Sequence, residues 1–249
     1  MNGNYQGTYG GGGRNTQQDR RAYTVDMVLC IDATGSMENR TGGQQKIINM
    51  VKENALHFYD DLAKKMDDKK KPMAQLRVRL VLFRDFLADG PHALQATDFF
   101  VLPDQVKSFE ACVNSIHADG GGDIPEDGLE ALAYAMQSNW TTHGTNHRQL
   151  IVVWTDAGTH ELGYGRRSPH YPEGMPASLA ELEDMWDAMD DYSKRLLIYA
   201  PDTNYWNYIG ENFEQTIHVV SKAGEGLQEQ NYEEILHYIA ESISRKTQN

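Results

Sequence analysis

Two runs of apolar residues in this chain are each followed directly by an aspartate. The run TVDMVLCI (24–31) precedes Asp32, and the run QLIVVWT (149–155) precedes Asp156. Nearly continuous apolar strands are typical of a parallel sheet that is buried on both faces. Because buried strands disfavour charge, each aspartate marks the point where a strand leaves the core. The pattern therefore predicts a parallel sheet with acidic groups at its carboxyl edge.

The remaining segments alternate between strand and helix patterns. Further strands are predicted over 75–83, 195–201 and 216–221, with a short edge strand over 97–102. Apolar residues at helical spacing predict helices over 44–66, 104–118, 120–138, 178–193 and 233–245. This alternation predicts an α/β, Rossmann-like, doubly wound sheet. It should be mostly parallel, with helices on both faces and one short antiparallel edge strand.

The first 21 of the 249 residues differ in composition from the rest. They are rich in Gly, Asn and Gln and contain no apolar core, which predicts a flexible Gly-rich tail rather than a secretory signal. Residues 22–249 are interpreted as one domain. No run approaches the roughly 20 apolar residues that span a bilayer. Cys30 and Cys112 lie in apolar segments outside any C-x-x-C pair, so we expect buried free thiols and a cytoplasmic protein.

The net charge of −13 bears on the class of partner. Nucleic-acid binding depends on neutralising phosphates with basic groups, so an acidic chain of this kind argues against a nucleic-acid partner. An acidic protein suits cation binding, although net charge does not locate a site.

Oxygen donors follow several predicted strands and turns. Asp32, Thr34 and Ser36 alternate along one turn, Asp123 lies in GGGDIPE, and Asp156 follows the strand over 149–155. Ligands of open parallel sheets bind at the carboxyl ends of the strands, where the strand order reverses. Carboxylates and hydroxyls are hard donors that suit Mg²⁺, Mn²⁺ or Ca²⁺. Asp123 has a second interpretation, because D-I-P-E is close to a helix capping box in which Glu126 is the partner.

The sequences DATGS (32–36) and TDA (155–157) resemble the metal-ion-dependent adhesion site of von Willebrand factor type A (VWA) domains. The resemblance covers about residues 24–245. It implies an Mg²⁺ site with Asp32, Thr34, Ser36 and Asp156 as ligands, and with Asp123 on the loop where many members have G-G-T. It also implies a non-enzymatic module whose ion binds an Asp or Glu carboxylate of a protein partner. Similar standalone bacterial cytoplasmic domains suggest a role in a multiprotein stress, defence or signalling system.

Two other functions compete with this interpretation. A magnesium-dependent phosphoryl-transfer hydrolase of the haloacid dehalogenase type needs a second carboxylate two residues after the first, and here Thr34 occupies that position. The chain has no P-loop and no G-x-S-x-G nucleophile motif. The third alternative is a metal-free scaffold. The oligomeric state is left open.

Three further groups have open roles at this point. Asp85 could support the site, pair with Arg84 or form a surface turn. His160 and His170, in the Gly/Pro-rich segment 158–176, are expected at the loop surface or in partner contacts. An aromatic cluster is expected either to pack against the sheet or to bind a partner: Tyr205, Trp206 and Tyr208.

Overall fold

A computed structural model describes residues 22–37, 47–121, 125–143, 146–222 and 231–245. The predicted tail over 1–21 and Asp123 lie outside the described residues. Within the described residues, one sheet contains seven strands, which are β1 Tyr23–Asp32, β2 Met73–Phe83, β3 Leu94–Ala96, β4 Phe100–Leu102, β5 His147–Trp154, β6 Lys194–Pro201 and β7 Thr216–Ser221.

Helices connect most of these strands. In the described part of the chain they are α1 Ile47–Asn54, α2 Phe58–Asp68, α3 Val106–Asn114, α4 Gly128–Met136, α5 Leu179–Asp187, α6 Asn204–Asn212 and α7 Tyr232–Ser244.

The order of the strands confirms the predicted fold class. Along the sheet they run β3-β2-β1-β5-β6-β7, and the pairs within β2-β1-β5-β6-β7 are all parallel. The antiparallel edge predicted over 97–102 consists of two short strands, because β3 and β4 both pair with β2. The result is an α/β, Rossmann-like sheet with antiparallel pairing at one edge.

The strand order reverses beside β1, and this places the two aspartates close together. Chain order runs outward from β1 to β2 on one side, and from β5 to β7 on the other. The last register pairs of β1 are Asp32 with Phe83 and Ile31 with Trp154. Asp32 therefore ends the central strand, and Asp156 follows the end of its neighbour by two residues.

Both faces of the sheet are covered, as continuous apolar strands require. On one face, alternate residues of β1 such as Leu29 and Ile31 pack with α2, α3 and α7. On the other face, Val28 and Cys30 pack with α4, α5 and α6. Cys30 is buried as predicted, whereas Cys112 on α3 is only half-buried. The central strand is thus fixed from both sides, which leaves its end as a rigid support for loops.

Two helical regions differ from the sequence prediction. The helix predicted over 44–66 is divided into α1 and α2 by a turn at residues 55–57, and Leu56 in that turn is 42% exposed. Helix α6 was not predicted. Of its aromatic residues, Trp206 is fully buried and packs as one interpretation expected, while Tyr208 is 39% exposed and its role in partner binding stays a prediction.

None of the helices in the described segments is both long enough and apolar enough to cross a membrane.

Trp206 is expected to be a major contributor to the stability of the sheet face that carries α4 to α6. Its ring is fully buried, and its indole N–H donates to the carbonyl of Ala157 at 3.1 Å. Trp206→Ala should lower the free energy of unfolding by about 3–5 kcal/mol, measured by urea denaturation. Tyr208→Ala, on the same helix but half exposed, is the matched control and should cost less than about 1 kcal/mol. Similar losses for the two variants would contradict this packing.

Candidate functional site

The carboxylate of Asp32 is buried at the end of β1 and is bound from two sides. Thr34 donates to Oδ1 through its backbone N–H at 2.9 Å and its hydroxyl at 2.6 Å. Thr155, at the end of β5, donates its hydroxyl to Oδ2 at 2.7 Å. Burial, with a smaller contribution from the nearby charge of Asp156, raises the pKa of Asp32 to about 6. The hydrogen bonds from Thr34 and Thr155 oppose this rise. The central aspartate is therefore buried and held in place by neutral donors.

Hydroxyl groups link Asp32 to Asp156. The oxygens of Thr34 and Ser36 are 3.2 Å apart, and Ser36 donates its hydroxyl to Oδ1 of Asp156 at 2.9 Å. Four of the five residues predicted from the sequence therefore lie in one chain of oxygen contacts. Asp123 is the fifth, and it lies outside the described residues, so its role as ligand or cap stays a prediction.

A glycine loop closes over this cluster. The backbone N–H of Gly35 donates to the carbonyl of Gly120 at 3.3 Å, and the N–H of Asp119 donates to the carbonyl of Ala33 at 3.0 Å. Gly121 has a φ of +84°, and a Cβ there would lie 3.2 Å from both the Thr34 side chain and Oε1 of Glu126. The close approach of this loop to Thr34 therefore requires glycine at position 121.

Glu126 is the residue that sequence reasoning missed. Its capping of the turn at Asp123 stays a prediction, because Asp123 lies outside the described residues. Its Oε2 is buried and has no hydrogen-bond partner among the described residues, and the residue is 4% exposed. Burial raises its pKa to about 9, and the charge of Asp32 adds to this effect, followed by Asp85, Asp89 and Asp127. The position after Pro125 gave a capping signal, whereas a free carboxylate oxygen depends on tertiary packing that the sequence does not reveal.

Asp85 supports the neighbouring loop. It is buried, and its Oδ1 accepts the backbone N–H groups of Leu87 at 2.5 Å and Ala88 at 2.9 Å. Of the three roles considered for it, the exposed surface turn and the pair with Arg84 do not fit, since Arg84 binds backbone carbonyls instead. Asp85 therefore shapes the loop after β2.

The segment 158–176 folds back onto α4. His160 is buried rather than at the loop surface, with Nδ1 3.1 Å from Oδ1 of Asp127, whereas His170 is exposed. Farther along, Oε1 of Glu130 accepts the backbone N–H of Gly163 and the hydroxyl of Tyr171, each at 2.9 Å. These contacts fix the loop beside the acidic cluster.

The donor set constrains what the cluster could hold. In the described segments, no three side chains of the His, Cys, Asp and Glu types are arranged to hold a metal ion. Asp32 and Asp156 alone are too few for a hard cation that takes six or more oxygens, so the hydroxyls and water would have to complete the shell. The residues present fit an oxygen-coordinated divalent ion and not a thiolate or imidazole site.

Comparison with known proteins adds information on the fold. No family model and no curated protein matches the sequence. Among solved structures, the PilB minor pilin from Streptococcus sanguinis has 15% sequence identity and a TM-score of 0.53, over 88% of this chain and 62% of that one. A von Willebrand factor type A protein from Catenulispora acidiphila has 13% identity and a TM-score of 0.50, over 90% of this chain and 44% of the other. The fold is VWA-like.

A third similar structure is the pilus adhesin SpaC from Lactobacillus rhamnosus GG. It has 11% identity and a TM-score of 0.53, over 89% of this chain and 31% of the adhesin. This VWA-like chain thus spans between about a third and two thirds of the lengths of these three proteins. At such low identities the likeness shows the fold alone.

Gly121→Ala should lower the free energy of unfolding by more than the strain of its left-handed backbone conformation alone. The left-handed φ costs an alanine about 1–2 kcal/mol, and the contacts with Thr34 and Glu126 should add about 1–3 kcal/mol. Gly174→Ala is the matched control, because Gly174 has a φ of +74° but no atom within 4 Å of the added Cβ. Thermal or urea unfolding of both variants measures the difference. Equal losses would show that the loop has room at position 121.

Glu130 should make stability depend on pH. Burial raises its pKa from 4.5 to about 7, so between these values the unfolded chain ionises Glu130 while the folded chain keeps the proton. Its contribution is complete below about pH 4.5 and is lost as the pH rises to about 7, a total of about 3 kcal/mol. Glu130→Gln removes this contribution, so the difference in unfolding free energy between wild type and variant should shift by that amount over the interval.

Urea denaturation at a series of pH values measures the effect of Glu130→Gln. The control is Glu161→Gln, at an exposed position of segment 158–176, which contacts Glu130. Its stability profile should run parallel to that of wild type. If the Glu130→Gln profile also runs parallel to that of wild type, the pKa of Glu130 is not raised in the folded protein.

Proposed function

We propose that the cluster at the carboxyl ends of β1 and β5 binds a divalent cation, and that the cation binds an Asp or Glu carboxylate of a protein partner. One observation carries this proposal: the hydroxyls of Thr34 and Ser36 link two acidic groups, Asp32 and Asp156, that follow different strands. Such a row of hard oxygens is suited to Mg²⁺, with Mn²⁺ or Ca²⁺ as alternatives.

The charges of the cluster favour the same ion. Asp32 is deprived of solvent, and Glu126 has a buried oxygen with no hydrogen-bond partner among the described residues. A divalent cation would compensate these buried acidic groups, which are otherwise costly. Thr34, Ser36, Asp32 and Asp156 would hold the ion, and Glu126 would act directly or through water. When bound, the ion supplies an open coordination position that a partner's carboxylate can occupy.

The neutral hydroxyls are important for an acidic partner. If Thr34 and Ser36 are direct ligands, fewer carboxylates neutralise the ion, and it keeps positive charge for an incoming acid. Ser36 is also the exposed member of the cluster, whereas Asp32, Thr34 and Asp156 are buried. The partner's carboxylate would therefore approach over Ser36.

We propose a binding role rather than an enzymatic one on the basis of the same residues. Thr34 replaces the second carboxylate that a phosphoryl-transfer hydrolase of the competing type needs. One of the structurally similar proteins is named as a pilus adhesin and another as a von Willebrand factor type A protein, which accords with a protein-interaction module. We propose that the protein acts in the cytoplasm as one component of a multiprotein stress, defence or signalling system.

Magnesium binding is the first test. Mg²⁺ at 100 times its Kd should stabilise the protein by about 2.7 kcal/mol, measured by thermal unfolding with and without a chelator. Asp32→Asn and Ser36→Ala should each weaken Mg²⁺ binding by at least about tenfold in calorimetric titration, since even groups that only support a ligand cost that much. Asp98→Asn, at an exposed aspartate outside the cluster, should bind Mg²⁺ as wild type does.

Partner capture and an enzyme assay separate the remaining alternatives. In Mg²⁺ buffer, wild type should retain on beads proteins that Asp32→Ala does not retain, and a chelator should release them. Prey that are identical for both proteins would contradict an ion-mediated contact. Hydrolysis of a phosphomonoester that needs both Mg²⁺ and Asp32 would favour the hydrolase, and no ion uptake at all would favour the metal-free scaffold.

A further inference from the structure

A polar cleft lies at the β3 edge of the sheet, on the face that carries α3, apart from the acidic cluster. It is a cleft of about 290 Å³ between β2, β3 and the end of α3. Its apolar lining includes Leu80, Leu82 and Ile116, and its polar and sulfur groups include Arg84, Cys112 and His117. We call this opening the Arg84 cleft. Its volume is near the lower limit of small-molecule sites, and its combination of apolar surface with a few polar groups is typical of them.

Arg84 is a buried cation held by backbone carbonyls. The side chain is 8% exposed, and Nε donates to the carbonyls of Ala33 at 2.9 Å and Asp119 at 2.8 Å. Nη1 donates to the carbonyl of His92 at 2.8 Å, and Nη2 to that of His117 at 2.9 Å. In the described part of the chain, no carboxylate forms an ion pair with this guanidinium. Its charge is thus solvated by dipoles but not neutralised.

The donor count of Arg84 leaves room for a ligand. A guanidinium has five N–H groups, and the four carbonyls use the Nε–H and one hydrogen on each terminal nitrogen. Among the described residues, one N–H on Nη1 and one on Nη2 have no acceptor, and Arg84 lines the cleft. Charged guanidinium N–H groups bind carboxylates more strongly than they bind neutral acceptors. The apolar lining beside it suits a short hydrocarbon body.

The same side chain reaches the candidate ion site. Ala33 lies between Asp32 and Thr34, and Asp119 begins the glycine loop that closes over Thr34. Arg84 therefore contacts the backbone of two of the loops that form the acidic cluster. A change in the position or charge of the guanidinium acts on both loops at once.

We propose that the Arg84 cleft binds a small carboxylate with a short apolar body, and that Arg84 couples its occupancy to ion affinity at the cluster. The coupling, but not the cleft itself, rests on the proposed ion site. Arg84 contacts the carbonyl of Ala33, the neighbour of Asp32, so an anion beside Arg84 cancels positive charge near the cluster and should raise the affinity for a divalent cation by about two- to fivefold. Binding should also stabilise the fold, because a buried charge gains its counter-ion.

Cys112 allows a charge-matched test of the cleft. It is half-buried and lines the cleft, whereas Cys30 is fully buried. Methanethiosulfonate reagents with a sulfonate or a trimethylammonium group would place an anion or a cation on Cys112 in the intact protein. The anionic adduct should unfold about 2–4 °C higher than the cationic one in magnesium-free buffer. Cys112→Ser, treated in the same way, controls for reaction at Cys30.

Variants of Arg84 test whether Arg84 causes the difference in unfolding temperature between the two adducts. The difference between the adducts should disappear in Arg84→Met; if that variant does not fold, Arg84→Lys, which keeps the charge but lacks the guanidinium N–H groups, should reduce it. Free benzoate should slow the labelling of Cys112 by a neutral reagent more than uncharged benzamide does. Equal unfolding midpoints for the two adducts, or equal protection by benzoate and benzamide, would overturn the carboxylate site.

Calorimetric titration of Mg²⁺ into both adducts tests the coupling separately. A higher Mg²⁺ affinity for the anionic adduct supports it, and equal affinities overturn it while the cleft still stands on the unfolding midpoints. If Mg²⁺ does not bind even to the unlabelled protein, the proposed ion site fails, and the midpoints and benzoate protection still decide the cleft.

Discussion

The buried carboxylate of Asp32 is the group on which the rest of the site depends. It ends the central strand, so the sheet fixes its backbone from both sides. One oxygen accepts hydrogen bonds from the turn that follows β1, and the other accepts from Thr155 at the end of β5. A single side chain thus joins the two neighbouring strand ends across the point where the strand order reverses. The hydrogen bond from Ser36 to Asp156 is a second link between the same two strand ends.

Several buried acidic groups lie close together at the carboxyl edge of the sheet, and their mutual repulsion disfavours their ionised forms. Among the described residues, one buried oxygen of Glu126 has no hydrogen-bond partner, and the charges of Asp32, Asp85, Asp89 and Asp127 all oppose its ionisation. Arg84, the nearby buried cation, is occupied by carbonyls of the loops and forms no ion pair with these acids in the described residues. In the part of the chain that the structure describes, Arg84 thus organises the loops without neutralising these carboxylates, and a divalent ion would supply the charge that they need.

The sequence was sufficient to predict the sheet and much of the candidate site. Continuous apolar runs identify strands buried on both faces, and the carboxyl ends of parallel strands meet at one edge, so the proximity of Asp32 and Asp156 follows from the fold class. Helix α6 was missed because its sequence is rich in aromatic residues and Asn, which are poor helix formers, although Trp206 is fully buried. The break between α1 and α2 was missed because no Gly or Pro marks it. The surroundings of Glu126 and Arg84 are formed by loops that are distant in sequence, and local sequence patterns do not predict such contacts.

The central position of β1 also has a mechanical consequence. Its carboxyl end carries the candidate site, and both of its neighbours, β2 and β5, run parallel to it along most of its length. A tensile load applied to the loop at Thr34 and directed along the strand would shear two ladders simultaneously rather than unzip one bond at a time. Attachment at this point transmits force into the stiffest direction of the sheet, whereas attachment at β7, on the outer edge, would peel a single ladder.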